Sequence, residues 1–255
     1  MDIQAQYGPL RAEIDAAIAG VLDSGRFILG PEGRALEASV SERLAGRPCV
    51  GVANGTDALV IALNALDIGP GDEVITTPYT FYATAEAIAR VGATPVFADI
   101  DPSTYCLDPE AARAKIGPAT RAILPVHIFG HPADMAAITA LAREHGLAVV
   151  EDCAQAFGAR APEGEIATFG DVATFSFFPT KNFPGMGDGG MVVCRDGMIP
   201  AWWHAFSTPA TFLKSPSASP RTSTPRSLYW LRADASRSVS SFKLTAWPSS
   251  VTCPV

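Results

Sequence analysis

Thr174-Phe-Ser-Phe-Phe-Pro-Thr-Lys-Asn182, followed by Phe183-Pro-Gly-Met-Gly-Asp-Gly-Gly190, decides how this chain is read. The apolar run over residues 173–178 predicts a strand that stops at Pro179, which has no N–H to give a ladder. Lys181 stands just beyond it. Glycine-dense sequence then separates the lysine from a second predicted strand, Met191-Val-Val-Cys194. Flanked by Phe177, Phe178 and Phe183, Lys181 is expected in a partly dry place. Desolvation disfavours the ammonium form, which makes a lysine a nucleophilic amine able to form a Schiff base. The ordinary alternative is a solvated loop lysine, since lysines are rarely buried.

Upstream of that stretch, short apolar runs alternate with helical ones. Residues 49–53, 73–77, 94–100, 122–129 and 147–151 predict strands. Residues 55–66, 80–91 and 132–145 predict helices, the first with Ala58, Leu59, Ala62, Leu63 and Leu66 on one face. Gly69-Pro-Gly-Asp72 is a turn. Two further helices are predicted at the start of the chain. Residues 9–22 carry Leu10, Ile14, Ala17, Ile18 and Val21 at helical spacing and end at Ser24-Gly25. After a turn at Phe27-Ile-Leu-Gly-Pro31, residues 32–45 form the second. Strands separated by helices imply parallel pairing through right-handed crossovers. The expected fold is therefore α/β, a mostly parallel sheet with helices on both faces.

Composition narrows the function. The chain has 255 residues, 48% of them hydrophobic, enough to bury a large core. A net charge of -7 argues against a general nucleic-acid binder, which needs a basic face. No run approaches the roughly 18 apolar residues of a membrane span. Met1-Asp-Ile-Gln-Ala-Gln lacks the basic start and apolar core of a signal peptide. Cys49, Cys106, Cys153, Cys194 and Cys253 are scattered without paired metal spacing. These features predict a reducing, cytoplasmic setting, no metal, no membrane and no nucleic acid.

Near residue 198 the character changes. All 22 glycines lie at or before Gly197, all four tryptophans lie at or after Trp202, and beyond Met198 the sole acidic residue is Asp234. Residues 214–226 show neither helical nor strand period. One reading is a flexible tail or interaction segment. The preferred one is sequence unrelated to the fold before it, as a shifted reading frame or a splice artefact would produce. The expected division is 1–197 as a domain and 198–255 as an aberrant Ser/Pro/Arg-rich tail.

Four local features lie near predicted strand ends, where open parallel sheets bind ligands. In Ala53-Asn-Gly-Thr-Asp-Ala58 a strand runs into a helix start. There Gly55 allows close backbone approach and Thr56 offers a hydroxyl beside unpaired amides, which suits a phosphate; a plain capped helix start is the alternative. In Val149-Val-Glu-Asp-Cys-Ala-Gln-Ala156 the carboxylate of Asp152 is suited to keep a pyridine nitrogen protonated, and Gln155 to donate to a ring oxygen. Asp152 as a mere cap is the alternative. In Pro78-Tyr-Thr-Phe-Tyr-Ala-Thr84, Phe81 or Tyr82 is suited to stack on a flat ring, or to be plain core. In the opening stretch, Ser176 is suited to bind a phosphate oxygen while Lys181 reaches an aldehyde carbon. His127 and His131 flank Phe129-Gly130 and read more readily as packed or solvated than as ligand contacts.

Together, Asn54-Gly-Thr-Asp-Ala, Pro78-Tyr-Thr-Phe-Tyr-Ala-Thr, Glu151-Asp-Cys-Ala-Gln-Ala, Ser176-Phe-Phe-Pro-Thr-Lys-Asn and Gly187-Asp-Gly-Gly190 resemble the DegT/DnrJ/EryC1/StrS family of pyridoxal-phosphate-dependent sugar aminotransferases. Ser24-Gly-Arg-Phe-Ile-Leu-Gly-Pro-Glu32 is similar to that family's opening segment. The resemblance covers residues 1–197 and implies the large domain of the type I, aspartate-aminotransferase-like fold. It implies Lys181 as the Schiff-base lysine and later acid/base, Asp152 as partner of the pyridinium nitrogen, and Gln155 near the ring hydroxyl. It likewise implies Gly55, Thr56 and Ser176 on the phosphate of pyridoxal 5'-phosphate, with Phe81 stacked on its ring. Members that dehydrate a sugar carry histidine in place of this lysine, so Lys181 favours amino transfer. The implied reaction moves an amino group from an amino-acid donor, usually glutamate, to a nucleotide-linked ketosugar, in a homodimer.

The family's small C-terminal domain, with its sugar contacts and an asparagine reaching the neighbouring subunit's phosphate, has no counterpart after Met198. The expectation is a cofactor-binding half with exposed apolar surface and impaired activity. Its rival is an inactive cofactor-binding fragment or dimerisation module. A third option, another type I enzyme such as a desulfurase, wants a mobile catalytic cysteine loop that the sequence does not show.

Overall fold

The predicted strands assemble into one seven-stranded sheet in the computed structural model, which describes residues 2–195. Its strands are β1 (Cys49–Val52), β2 (Glu73–Thr76), β3 (Thr94–Phe97), β4 (Thr120–Leu124), β5 (Ala148–Asp152), β8 (Val172–Ser176) and β9 (Gly190–Cys194). Two-residue strands β6 (Arg160–Ala161) and β7 (Gly164–Glu165) form a separate antiparallel ribbon. The sheet order is β1-β9-β8-β5-β4-β2-β3. Every neighbouring pair from β8 to β3 is parallel, and β9 runs antiparallel to both β8 and β1. The expected α/β fold with a mostly parallel sheet is what forms, and β9 is its one reversed strand. The expected tail over 198–255 lies outside the described residues.

The helices are α1 (Ile3–Tyr7), α2 (Arg11–Ser24), α3 (Pro31–Arg43), α4 (Gly55–Ala65), α5 (Tyr82–Arg90), α6 (Pro109–Arg113) and α7 (Met135–His145). In α4 the side chain of Asn54 accepts from the Asp57 amide at 2.8 Å, capping the helix start. Its Ala58, Leu59, Ala62 and Leu63 are buried. Asp134 caps α7 in the same way, and Gly146, at φ +66, closes it in a conformation that disfavours side chains.

Alternation along β8 and β9 builds two faces. Val172, Val192 and Cys194 join the larger apolar cluster that holds the buried residues of α4. Ala173, Phe175, Met191 and Val193 join a second cluster with Val40 and Leu44, at the end of α3. Each buried aliphatic or phenyl side chain contributes about 1.5–3 kcal/mol of transfer free energy, so the β5-β8-β9 region is held firmly from both sides.

Two expectations needed correction. The strand predicted over 122–129 ends at Leu124, because Pro125 interrupts it. A 3-10 turn follows at Ile128–Gly130, in which Phe129 takes φ +53. The strand predicted over 94–100 ends at Phe97. The helix expected over 9–22 forms, but neither α1 nor α2 has a buried residue. Leu10, Ile18 and Leu22 are exposed, as are Phe27, Ile28 and Leu29 (65%, 87% and 70%). Among the described residues, no helix is long and apolar enough to cross a membrane.

Candidate active site

The carboxyl ends of β1, β2, β5 and β8 open on one side of the sheet, the usual ligand edge of a parallel fold. A cleft of about 540 Å³ lies there, lined by Asn54 to Asp57, by Phe81 and Thr84, by Asp152 and Gln155, and by Ser176 and Lys181. The seven residues that the resemblance assigns to the cofactor therefore line one cleft, contributed by four separate strand ends, whereas Tyr82, His127 and His131 do not line it.

At one end is the start of α4. The first-turn amides of Gly55 and Thr56 have no carbonyl four residues back to bond. A Cβ added at Gly55 would come within 2.6 Å of the Ser176 Cβ, so only glycine lets the helix end and the end of β8 approach this closely. At the tip of β8, Ser176 pairs in register with Gly190. Bare amides, a serine hydroxyl and a helix N-terminus make an anion cradle.

Asp152, at the end of β5, is buried at 5% exposure. Its Oδ1 accepts from the Ala154 amide at 3.1 Å and its Oδ2 from the Thr84 hydroxyl at 2.9 Å. Burial pushes its carboxyl above the ordinary aspartate value. The two hydrogen bonds and the nearby ammonium of Lys181 oppose that rise without cancelling it. A buried carboxylate with so little compensation is complementary to a cationic N–H placed in the cleft.

Lys181 is half-buried, and its Nζ lies 5.8 Å from the centroid of the Phe81 ring. Its aromatic surroundings differ from the expected ones. Phe177 is buried edge-on to Phe183 and belongs to the second apolar cluster, while the exposed Phe183 stacks at 4.4 Å on Phe157, which packs against that cluster. Of the three flanking phenylalanines, Phe178 lines the cleft. Residues 177–189 leave and return at the same rim. The Phe177 amide bonds the Gly189 carbonyl at 2.8 Å, and the Lys181 amide bonds the Phe178 carbonyl at 2.8 Å. Asn182 Nδ2 donates to the Phe157 carbonyl at 2.8 Å.

Phe81 is 65% exposed at the head of α5 and lines the cleft. Gln155 accepts from the Phe129 amide through Oε1 at 2.9 Å. That bond identifies the oxygen, so the amide NH2 is the end left to donate.

Glu151 and His127 lie together, wholly buried, with Nε2 and Oε2 3.2 Å apart. The Ala133 amide donates to His127 Nδ1 at 3.0 Å, which places the ring proton on Nε2, facing the carboxylate. Glu151 also accepts from the amides of Ala167, Phe169 and Gly170 at 2.9, 3.0 and 2.7 Å. Burial alone would raise its carboxyl, yet the His127 ring and these amides hold it below the ordinary glutamate value. Cys153 completes a trio whose ligand atoms lie within 4.8 Å of one another. Both nitrogens of His127 and both oxygens of Glu151 are already engaged, so the trio is a closed structural network rather than a metal centre. Burial pushes the Cys153 thiol well above its ordinary value and Cys49 up to about 12, so neither is a ready nucleophile. His131 is exposed and does not line the cleft.

Sequence reasoning missed Thr84. It lies in the aromatic motif, but no periodicity links it to a carboxylate 68 positions away.

With this geometry in hand, the chain can be placed among known proteins. Residues 9–211 match the DegT/DnrJ/EryC1/StrS aminotransferase family. The UDP-N-acetyl-3-dehydro-alpha-D-glucosamine 3-aminotransferase of Acidithiobacillus ferrooxidans is 54% identical over 199 residues, covering 78% of this chain and 54% of that protein. The crystal structure of S. venezuelae DesV in complex with a ketimine intermediate is 50% identical with a TM-score of 0.75, covering 77% of this chain and 53% of that one. The Bacillus subtilis protein ntda, crystallised with bound cofactor PMP, is 35% identical with a TM-score of 0.70, covering 73% and 42%. The chain spans about half the length of the relatives it matches. It belongs to the DegT/DnrJ/EryC1/StrS aminotransferase family.

Proposed function

From that membership we propose that the chain carries the cofactor half of a pyridoxal-phosphate-dependent aminotransferase that moves an amino group from an amino-acid donor to a nucleotide-linked ketosugar. The observation that carries the proposal is the meeting, in one cleft, of a lysine, a buried under-compensated carboxylate and an anion-ready helix start. The residues fit the cofactor. The glycine-only approach at Gly55 leaves amides open to a phosphate, and Asp152 offers a buried negative charge for a ring N–H.

When bound, pyridoxal phosphate supplies an aldehyde for amine exchange and a ring that takes up electrons as a Cα proton leaves. The amides of Gly55 and Thr56 and the hydroxyl of Ser176 would hold the phosphate. Asp152 would keep the ring nitrogen protonated, which sustains the electron demand. Gln155 would donate its NH2 to the ring oxygen, and Phe81 would pack on the ring face and exclude water. Lys181 Nζ would anchor the cofactor between turnovers and serve as the base that takes or returns a proton at the carbon bearing the amino group. The proposed setting is the cytoplasm, and the proposed assembly a homodimer, supported by the apolar residues left open on α2 and at Phe27 to Leu29.

The test uses the full chain loaded with pyridoxal phosphate. A visible band that borohydride erases, present with Lys181 and absent in Lys181→Ala, supports the site. Its loss on adding glutamate, with amination of a UDP- or dTDP-linked 3-ketosugar, supports the reaction. No Lys181-dependent band at all would sink both. A second reading, a cofactor-binding or dimerisation module without turnover, is favoured by the exposed apolar residues on α2 and at Phe27 to Leu29. A band that glutamate leaves untouched selects it. The desulfurase option loses support, because no cysteine among the described residues lines the cleft.

A further inference from the structure

Thr84 Oγ1 donates to Asp152 Oδ2 at 2.9 Å in a buried setting. A hydroxyl has one proton, so once Thr84 gives it to the carboxylate its oxygen is left to accept. Thr80 Oγ1 lies 2.9 Å from that oxygen and lines the same cleft. The direction of the chain is thereby fixed, from Thr80 to Thr84 to Asp152. Each donation strengthens the next in a low-dielectric place. The arrangement is unlike an ordinary helical threonine. Thr139 in α7 donates to the Met135 carbonyl of its own helix, four residues back, at 2.6 Å. Thr84, in the first turn of α5, instead bonds across to β5.

We propose that Thr84, backed by Thr80, is a positioning residue that aims the Asp152 carboxylate into the cleft and keeps negative charge on it. Asp152 has two donors, and the other is the fixed amide of Ala154. Among the described residues, the Thr84 hydroxyl is therefore the one side-chain hydrogen bond tuning this acid. The other ionisable groups around Asp152 are Lys181 across the cleft, His127, and Glu151 and Cys153 on either side in sequence. Replacing Thr84 by valine, a near-isostere, leaves all of them in place. A hydrogen bond to a charged group is strong enough that its loss should raise the Asp152 titration midpoint by about one pH unit. Where the cofactor is bound, which rests on the reading above, a carboxylate that competes harder for the shared proton leaves the ring nitrogen less charged. The lysine-linked cofactor nitrogen should then keep its own proton to higher pH.

The experiment is a carboxyl-carbon NMR titration of the full chain labelled at aspartate, with Asp152 assigned by its absence in Asp152→Asn. Thr84→Val is expected to move the Asp152 midpoint up by about one unit, Thr84→Ser to restore it, and Thr80→Val to move it part of the way. An unmoved midpoint in Thr84→Val overturns the proposal. Should that variant fail to fold, an unmoved midpoint in Thr80→Val overturns it equally. In parallel, the pH midpoint of the visible band is followed in chain loaded with pyridoxal phosphate. It is expected to rise in Thr84→Val and return in Thr84→Ser. If wild type shows no band while Asp152 still shifts, the cofactor reading fails and the role of Thr84 stands.

Discussion

Glu151 and Asp152 are neighbours in one strand, and the alternation of side chains sends them into opposite surroundings. On one face, Glu151 is met by three backbone amides and an imidazole N–H, and its charge is settled inside the fold. On the other, Asp152 has two donors, faces a cleft, and is held above its ordinary value. Two carboxylates thus differ in what completes them. The fold itself completes one, and a ligand cation is needed for the other. The first group should govern stability and the second chemistry, and the following variants are chosen to break that division.

The largest effect belongs to Lys181, the charge opposite Asp152. Lys181→Ala should lower transamination by about ten-thousand-fold, the upper end of what a proton-transferring group contributes, with the melting transition unchanged. A melting loss as large as the activity loss would assign the lysine to the scaffold. Next comes the closed network. Glu151→Ala leaves buried amides and an imidazole without their acceptor and should cost about 3–5 kcal/mol in urea unfolding. A cost below about 1 kcal/mol would show that the network is not what holds the 167–170 segment.

Asp152→Asn should do the reverse. Turnover should fall about a hundredfold, near 2.7 kcal/mol of barrier, while unfolding in cofactor-free protein is unchanged or slightly harder, because a buried, poorly compensated charge is gone. Gly55→Ala tests the cradle that Asp152 shares. Crowding against Ser176 should cost about 1–3 kcal/mol and weaken pyridoxal phosphate binding, read by fluorescence titration.

The smallest effect is in pH dependence. Glu151 is depressed below its ordinary 4.5, so its contribution is present above that value and lost as pH falls through the lowered folded value. Asp152 is raised above its ordinary 3.8, so the unfolded chain ionises first and stability declines as pH climbs from 3.8 through the folded value. Unfolding curves of Glu151→Gln should lack the acid-side loss, and those of Asp152→Asn the opposite decline. Identical pH profiles in the two variants would erase the distinction.

What the sequence made legible follows the same line. Lys181, Gly55 and Asp152 each sit in a local pattern, where a strand gives way to a loop or helix, so their residue types and neighbours point to the rim of the sheet. The partners of Glu151 are backbone amides of residues 167–170, and any sequence supplies those. Only the chain's path reveals them. The Thr84–Asp152 bond joins segments from different strand ends, beyond the reach of any local period. In α2 the spacing of Ile14, Ile18 and Val21 announces a helix with an apolar side. Periodicity does not say what lies against that side, and among the described residues no neighbour buries it.

The return of the 177–189 segment to its own point of departure has one more consequence. Ser176 and Gly190 are register partners, so the two feet of the loop stand a strand's width apart, and internal amides stitch it between them. A tether so short at its base has little closing entropy left to lose. The reach of the amine is therefore a property of one hairpin arch. A transplant of residues 172–194, the arch together with β8 and β9, should carry that reach with it.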